Sequence, residues 1–298
     1  MNSLALTLVL VSACLHAGWN LLGKKQQPSL ALFTLMMLAG AIVFSPWLLI
    51  YRDWLALPLE FWGVWLLSGA FQGIYMAGLA WAYARGDVSV LYPLVRGLPV
   101  ILVPWVGVWL GGYLYLSTQD WLGMFLIFAA CVLLPLRRLS DFHWRFYMTP
   151  ALGFMLLAVL GTVGYSWVDK HAIDLMRQEG MMPFSAGMVF MVLQAWSAFL
   201  WMLPSCFMFA TERKALRQQW QNNMRVCIMA GSMVLATYGL VLIAMGHTQD
   251  VSYVVALRQA SIPIGALLAV IWLKEVLSPI KWIALTIMML GLVLVALP

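Results

Sequence analysis

Two arginines lie inside long apolar stretches of the sequence. Arg96 belongs to DVSVLYPLVRGLPV (87–100) and Arg258 belongs to DVSYVVALRQASIPI (250–264). An arginine at the centre of a membrane helix costs about 2.5–3.5 kcal/mol on insertion scales, so we expect each one to face a wet cavity or a partner. Because a guanidinium binds a carboxylate or phosphate through parallel hydrogen bonds, the pair predicts a site for an anionic group. The alternative is a structural role, with the arginines bonded to backbone carbonyls.

Prolines and aspartates accompany both arginines. The prolines on the two segments are Pro93, Pro99, Pro104 and Pro263. Proline removes an intrahelical hydrogen bond and bends a helix, and such backbone is tolerated at membrane depth where it lines protein or water. We interpret Asp87 and Asp250 as helix N-caps, because aspartate accepts hydrogen bonds from the free amides of a first turn. A gate at the mouth of a cavity is the alternative.

A further polar set lies on the first apolar segment. His16, Trp19 and Asn20 follow i, i+3, i+4 spacing and therefore share one side of a helix. Since histidine titrates near physiological pH, His16 is a candidate carrier of a coupling proton, with a simple hydrogen bond to a neighbour as the alternative. The remaining candidates for substrate contact are Gln72, Tyr75, Tyr92, Tyr165, Tyr238 and Gln259. For the aromatic residues, packing within a bundle is the alternative.

The elements that must position these residues are membrane helices. The chain has 298 residues, of which 64% are hydrophobic and 9% are charged, whereas a soluble domain is about one quarter charged. A bilayer core requires about 20 apolar residues per helix. Ten apolar runs satisfy this requirement: 3–23, 30–51, 61–84, 88–111, 119–137, 148–168, 184–210, 224–246, 251–273 and 279–297. The sequence therefore predicts an all-α integral membrane protein with ten transmembrane helices.

The sequence repeats itself at a shift of 163 residues. That shift superimposes Asp87-Val88-Ser89 on Asp250-Val251-Ser252, and Tyr75 on Tyr238. It divides the chain into two five-helix units, 1–140 and 146–298, which form a single transport unit. Because five is odd, the second unit enters the membrane in the opposite sense to the first. Inverted repeats of this kind are typical of secondary transporters.

The distribution of basic residues predicts the orientation. Of the 17 lysines and arginines, 12 fall in loops after odd-numbered helices, and three (Arg52, Lys170 and Arg177) fall on the other side. The positive-inside rule places the richer side in the cytoplasm and both termini outside. We expect a multi-pass protein of the inner (plasma) membrane.

Several motifs resemble the drug/metabolite transporter superfamily in its EamA-type branch. The stretch PIGALLAVIWLKEVLSPIKWIALTIMMLGLVLVAL (263–297) is similar to the closing motif of that family, and HAGWNLLGK (16–24) is similar to its first helix. Gly112 departs from the pattern, since it stands where the second unit has Glu275. The resemblance implies a secondary transporter that works by alternating access, and much of the bacterial branch exports amino acids or related metabolites. The phosphate-translocator branch also carries basic residues on its fourth and ninth helices.

The sequence contains no metal-ligand cluster and no HExxH, GxSxG or P-loop motif, so we expect neither an enzyme nor a cofactor. The expected function is export or exchange of a small polar metabolite, anionic or zwitterionic, such as an amino acid. The alternatives are an organophosphate or phosphonate exchanger, a lipid-linked sugar flippase, and a non-transporting membrane scaffold or sensor. The expected partners are the substrate, the lipid bilayer, and a proton or counter-substrate for coupling, with no nucleic acid. The chain is expected to act as a monomer or homodimer.

Overall fold

The structure is a computed structural model that describes residues 2–23, 28–86, 88–109, 116–143 and 147–297. Throughout these ranges the regular secondary structure is helical. Eight of the described helices are long and apolar enough to cross a membrane, and two shorter apolar helices accompany them, Ser3–Gly18 and Thr118–Leu133. The prediction of an all-α membrane protein is confirmed at this level.

Thirteen α-helices are described, and we number them in chain order. In the first half they are α1 (Ser3–Gly23), α2 (Leu30–Phe44), α3 (Pro46–Ile50), α4 (Leu59–Tyr83), α5 (Val88–Trp109) and α6 (Thr118–Leu133). In the second half they are α7 (Leu152–Gln178), α8 (Pro183–Met208), α9 (Ala210–Asn222), α10 (Met224–Met245), α11 (Val251–Leu257), α12 (Ser261–Leu273) and α13 (Pro279–Ala296). Short 3-10 turns occupy Arg52–Ala56, Leu139–Asp141 and Arg258–Ala260.

The structure differs from the sequence prediction around α7 and α9. The predicted run 148–168 is α7, which continues ten residues further and ends at Gln178. Gly180, with a φ of 86°, terminates it, because glycine adopts the left-handed conformation of a helix C-terminus at little cost. The predicted loop between the runs 184–210 and 224–246 contains α9, an additional polar helix whose buried Glu212 accepts a hydrogen bond from the amide of Ala31 at 3.0 Å.

The packing of the helices connects the two halves. Helix α4 lies against α7 and α8, while α10 lies against α1 and α2. Helix α5 contacts α7, and α12 contacts α1. The last helix of each half, α6 and α13, pack on each other. The chain therefore interleaves its first and second halves around a shared centre instead of forming two separate bundles.

Glycines allow two of these helix pairs to approach at backbone distance. A Cβ built on Gly161 of α7 would lie 2.5 Å from the amide nitrogen of Tyr75 on α4. A Cβ on Gly123 of α6 would lie 2.8 Å from the carbonyl oxygen of Gly291 on α13. Small residues at helix contacts are the usual means of close packing in membranes. The contact at Gly161 also fixes the backbone that carries Tyr75, one of the predicted site residues.

Candidate functional site

A cavity of about 120 Å³ lies between the two halves of the chain. The side chains that line it come from α1, α2, α4, α5, α7, α8, α10 and the α11 segment. Its polar lining consists of His16, Gln72, Arg96, Thr162, Gln194, Thr237, Arg258, Gln259 and the tyrosines Tyr75, Tyr165 and Tyr238. No aspartate or glutamate occurs among the described lining residues. The cavity is therefore basic, and it has room for a small metabolite or several water molecules.

Arg96 joins α5 to the interruption between α11 and α12. Its guanidinium donates to Oε1 of Gln259 at 2.9 Å, to the carbonyl of Arg258 at 2.9 Å and to Oγ of Ser261 at 2.8 Å. A further nitrogen lies 3.5 Å from Nε2 of His16. Most of the donors of Arg96 are thus engaged by the protein itself, as in the structural alternative considered from the sequence.

The interruption that Arg96 contacts is a single 3-10 turn at Arg258–Ala260. Pro263 has no amide hydrogen to donate to the carbonyl of Gln259 four residues earlier, so regular helical bonding cannot continue through this turn. The hydroxyl of Ser261 donates back to the carbonyl of Arg258 at 2.9 Å. The turn and Ser261 therefore present a backbone carbonyl, a side-chain amide oxygen and a hydroxyl to Arg96, which donates to all three.

Arg258 is arranged differently. Its guanidinium lies 5.2 Å from the centre of the Tyr238 ring, a distance typical of a cation–π contact, and it has a hydrogen-bonding partner in Tyr165. No carboxylate lies within ion-pair distance of it among the described residues. The side chain is half-buried and lines the cavity. The ring of Tyr238 and the hydroxyl of Tyr165 leave the forked N–H donors of Arg258 available for an anion.

Three tyrosines form a continuous wall beside Arg258. The rings of Tyr75 and Tyr165 meet edge to face with centroids 5.8 Å apart, and those of Tyr165 and Tyr238 do so at 5.9 Å. Each ring comes from a different helix, α4, α7 and α10 respectively. The wall combines apolar surface with hydroxyl groups, which suits a small ligand that has both a polar head and an apolar part.

Two polar lining residues differ in how they are satisfied. The buried Oε1 of Gln72 has no hydrogen-bond partner in the structure, although the residue is only 8% exposed. An unsatisfied buried acceptor costs about 1–3 kcal/mol, so this oxygen favours a ligand or water that donates to it. Gln194, by contrast, donates its amide to Asp169 at 2.6 Å and to Ser68 at 3.1 Å.

Asp169 is the polar residue that sequence reasoning missed. It lies on α7, is 0% exposed, and accepts hydrogen bonds from Ser68 at 2.5 Å, from Gln194 at 2.6 Å and from the hydroxyl of Tyr238. The hydroxyl of Tyr238 and its ring therefore link Asp169 to Arg258. The predicted run ended at residue 168, one residue before Asp169, and the glycine at position 180 was the signal for the longer helix.

The structure brings most of the predicted site residues together. Eight of them line the cavity: His16, Gln72, Tyr75, Arg96, Tyr165, Tyr238, Arg258 and Gln259. Tyr92 instead faces the guanidinium of Arg96, with its ring centre 5.9 Å from the central carbon. Trp19 and Asn20 belong to α1, but their side chains fall outside the described residues.

Two interpretations of charged residues can also be compared with the structure. Asp250 caps α11, because its carboxylate accepts a hydrogen bond from the amide of Ser252 at 2.8 Å, so the capping interpretation is confirmed there. Asp87 lies outside the described residues. Lys170 is buried on α7 and forms an ion pair with Asp174 one turn later.

The described residues contain no group of three or more histidines, cysteines, aspartates or glutamates that could hold a metal ion. Among the functional side chains, the arrangement offers cations, phenols and amides for binding.

Comparisons with known proteins show the fold and no more. No family model matches the sequence, and no curated protein matches it. Solved structures do match. One of them, described as "Crystal structure of protein", has a TM-score of 0.64 and 19% sequence identity, and the match covers 98% of this chain and 95% of that chain. At this identity the likeness establishes a shared architecture along nearly the whole length.

Proposed function

We propose that the protein is a secondary transporter of a small anionic or zwitterionic metabolite, such as an amino acid, and that it works by alternating access as an exporter or exchanger. The observation that carries the proposal is the basic cavity, lined from both halves, with Arg258 held against tyrosines and free of any described carboxylate. Ionisable groups in membrane helices are typical of substrate or ion pathways. A scaffold or sensor would have no need for a basic cavity between its halves.

The packing supports the inverted repeat on which alternating access would depend. If α1, α2, α4 and α5 correspond to α7, α8, α10 and α11–α12, then the contact of α4 with α7 becomes that of α10 with α1. The contacts of α4 with α8 and of α5 with α7 become those of α10 with α2 and of α12 with α1. Every one of these contacts is present. With α6 and α13 as a self-related pair, this correspondence would account for the ten membrane-crossing segments, in two halves of five, that we propose.

We also propose membership of the drug/metabolite transporter superfamily, supported by the motifs at 16–24 and 263–297 together with the two-half packing. The likeness of fold to solved structures is compatible with it. A phosphate or phosphonate head suits Arg258 as well as a carboxylate does, since both match the guanidinium fork. Organophosphates therefore belong among the compounds to be tested.

Binding is the direct test of substrate class. Purified protein in detergent is heated with a panel of amino acids, dicarboxylates, organophosphates, polyamines and neutral sugars. A ligand at 100 times its Kd stabilises the native state by about 2.7 kcal/mol. We expect anionic or zwitterionic compounds to raise the unfolding temperature, and cationic or neutral ones to leave it unchanged. Stabilisation by polyamines alone would contradict the proposal.

Arg258→Ala should weaken the response to the ligands found in this screen, and Arg85→Ala is its matched control. Arg85 also lies over an aromatic ring, that of Phe154 at 4.5 Å, but it is exposed at the end of α4 and outside the cavity lining. The control should respond to the same ligands as the unmodified protein. If both variants lose the response equally, the loss reflects the general charge of the protein and not the cavity.

Orientation is tested separately with reporters fused after Pro298. A reporter active only outside the cytoplasm should give signal, and a cytoplasmic one should not. A signal from the cytoplasmic reporter alone would overturn the proposed orientation in the inner membrane and leave the helix count unaffected.

A further inference from the structure

We propose that Asp169 is a proton-binding site of this protein and that its proton is coupled to the cavity through Tyr238. The proposal rests on the transport function proposed above and extends it to the driving ion. It depends on the geometry of one buried carboxylate, on the helices that hold it, and on the side chain that separates it from the cavity.

Asp169 combines complete burial with the lack of a direct cation partner among the described residues. Its oxygens accept from Ser68 on α4, Gln194 on α8 and Tyr238 on α10, all of which are uncharged donors. A buried carboxylate is costly to keep charged without a paired cation, even when it is hydrogen-bonded. A site of this kind is suited to exchanging its charge for a bound proton.

The basic residues that follow Asp169 in the sequence have other partners. Lys170, next in sequence, is paired with Asp174, and His171 lies 3.6 Å from Glu60 at an exposed position. The other titratable groups that line the cavity are His16, Tyr75, Tyr165, Tyr238, Arg96 and Arg258. The cations among them belong to the cavity, and Tyr238 stands between Arg258 and Asp169.

Tyr238 gives the proton a route. Its hydroxyl donates to Oδ2 of Asp169, while the residue also lines the cavity. When the phenol passes its hydrogen to Oδ2, its oxygen accepts one from a cavity water, and that water takes one from a hydronium ion of the aqueous phase, so one proton enters and the carboxylate becomes neutral. The phenol is restored in the same step, so the net change is one proton bound at Asp169.

The sign of the coupling follows from electrostatics. Neutralising Asp169 removes a negative charge close to Arg258 and so favours an anion in the cavity. By linkage, an anion in the cavity favours the proton equally. Proton and anionic substrate therefore bind together and move in the same direction. Export of the anion would then run against the proton gradient. It would therefore take place by exchange for another anion.

Infrared difference spectroscopy of the full-length protein in nanodiscs, between acidic and alkaline pH, tests the site without any substrate. We expect the carbonyl stretch of a protonated carboxyl group to appear on acidification and to be missing in Asp169→Asn. Asp174→Asn is the matched control on the same helix and should keep the band. Ser68→Ala, a milder variant that removes one donor, should move the midpoint of the band. A spectrum without the band, or one that Asp169→Asn leaves intact, overturns the proposal.

Hydrogen exchange tests the coupling. Peptides covering residues 234–262 are followed across the midpoint of the infrared band, with correction for the intrinsic pH dependence of exchange. Protection should change with pH in the unmodified protein and become independent of pH in Asp169→Asn and Tyr238→Phe. Unchanged pH dependence in both variants would refute the coupling. Transport that is normal in Asp169→Asn refutes the proton site alone, whereas a titrating Asp169 in a protein that binds no anion refutes the proposed function alone.

Discussion

Helix α5 and the segment formed by α11 and α12 carry similar sequences but have different structures. Both contain an arginine and at least one proline, and they align at the 163-residue shift. Helix α5 is continuous from Val88 to Trp109 in spite of three prolines, whereas the other segment is interrupted by a 3-10 turn at Arg258–Ala260. This interruption falls at the arginine itself.

This difference gives the two arginines different tasks. Arg96, on the continuous helix, binds the polar groups that the interrupted segment exposes. Arg258, at the interruption, points toward the tyrosines and the cavity. One half of the repeat thus holds the irregular backbone of the other half in place. A similar sequence motif therefore holds the backbone in place in one copy and supplies a candidate binding group in the other.

The largest effect on stability is expected from Arg96→Ala. The substitution leaves the carbonyl of Arg258, Oγ of Ser261 and Oε1 of Gln259 without this donor, and each buried acceptor left unsatisfied costs about 1–3 kcal/mol. Cavity water replaces part of the loss, so we expect about 3 kcal/mol in total. Thermal unfolding in detergent measures it. An unchanged unfolding temperature would contradict the structural role of Arg96 in holding the interrupted segment.

Arg258→Ala should have the larger effect on binding. Hydrogen bonds to charged groups contribute about 1.5–3 kcal/mol, so the affinity for the anionic ligand should fall about 10- to 150-fold. Arg258→Lys should recover only part of it, since an ammonium lacks the planar fork. Titration calorimetry with a ligand found in the thermal screen measures both. If Arg96→Lys weakens binding more than Arg258→Ala does, the two assignments must be reversed.

The smallest effect is expected from Ser261→Ala. The hydroxyl accepts from Arg96 and donates to the carbonyl of Arg258, so its loss should cost about 1 kcal/mol of stability. Binding affinity should not change, because Ser261 is not among the cavity-lining residues. Combining it with Arg96→Ala should add little, since both variants remove the same hydrogen bond. Full additivity would show that Ser261 acts independently of Arg96.

The sequence predicted the class of fold and the two arginines because both rest on strong local signals. Long apolar runs can hardly be anything but membrane helices, and an arginine within one needs an explanation. The sequence did not predict the division of tasks between Arg96 and Arg258. That division depends on where helical hydrogen bonding fails near Pro263, and proline alone did not interrupt α5.

Asp169 illustrates a different failure. A hydropathy run ends at the first charged pair, here Asp169 and Lys170, although the helix continues to a stop signal at Gly180. Helix ends are set by backbone conformation, and burial is set by neighbouring helices. The donors Ser68 and Gln194 come from distant parts of the chain, so no local pattern could have indicated that this acid is buried.

The apolar wall of the cavity has a consequence for the range of ligands. Met36, Met37, Met76 and Met191 are among its lining residues. Methionine has an unbranched, polarisable side chain that fits many shapes, and it is common at promiscuous binding surfaces. The protein would therefore recognise the charged head of a molecule strictly and its tail loosely. A family of compounds with one head group and varied side chains would share the site, and their relative abundance in the cell would decide which is carried.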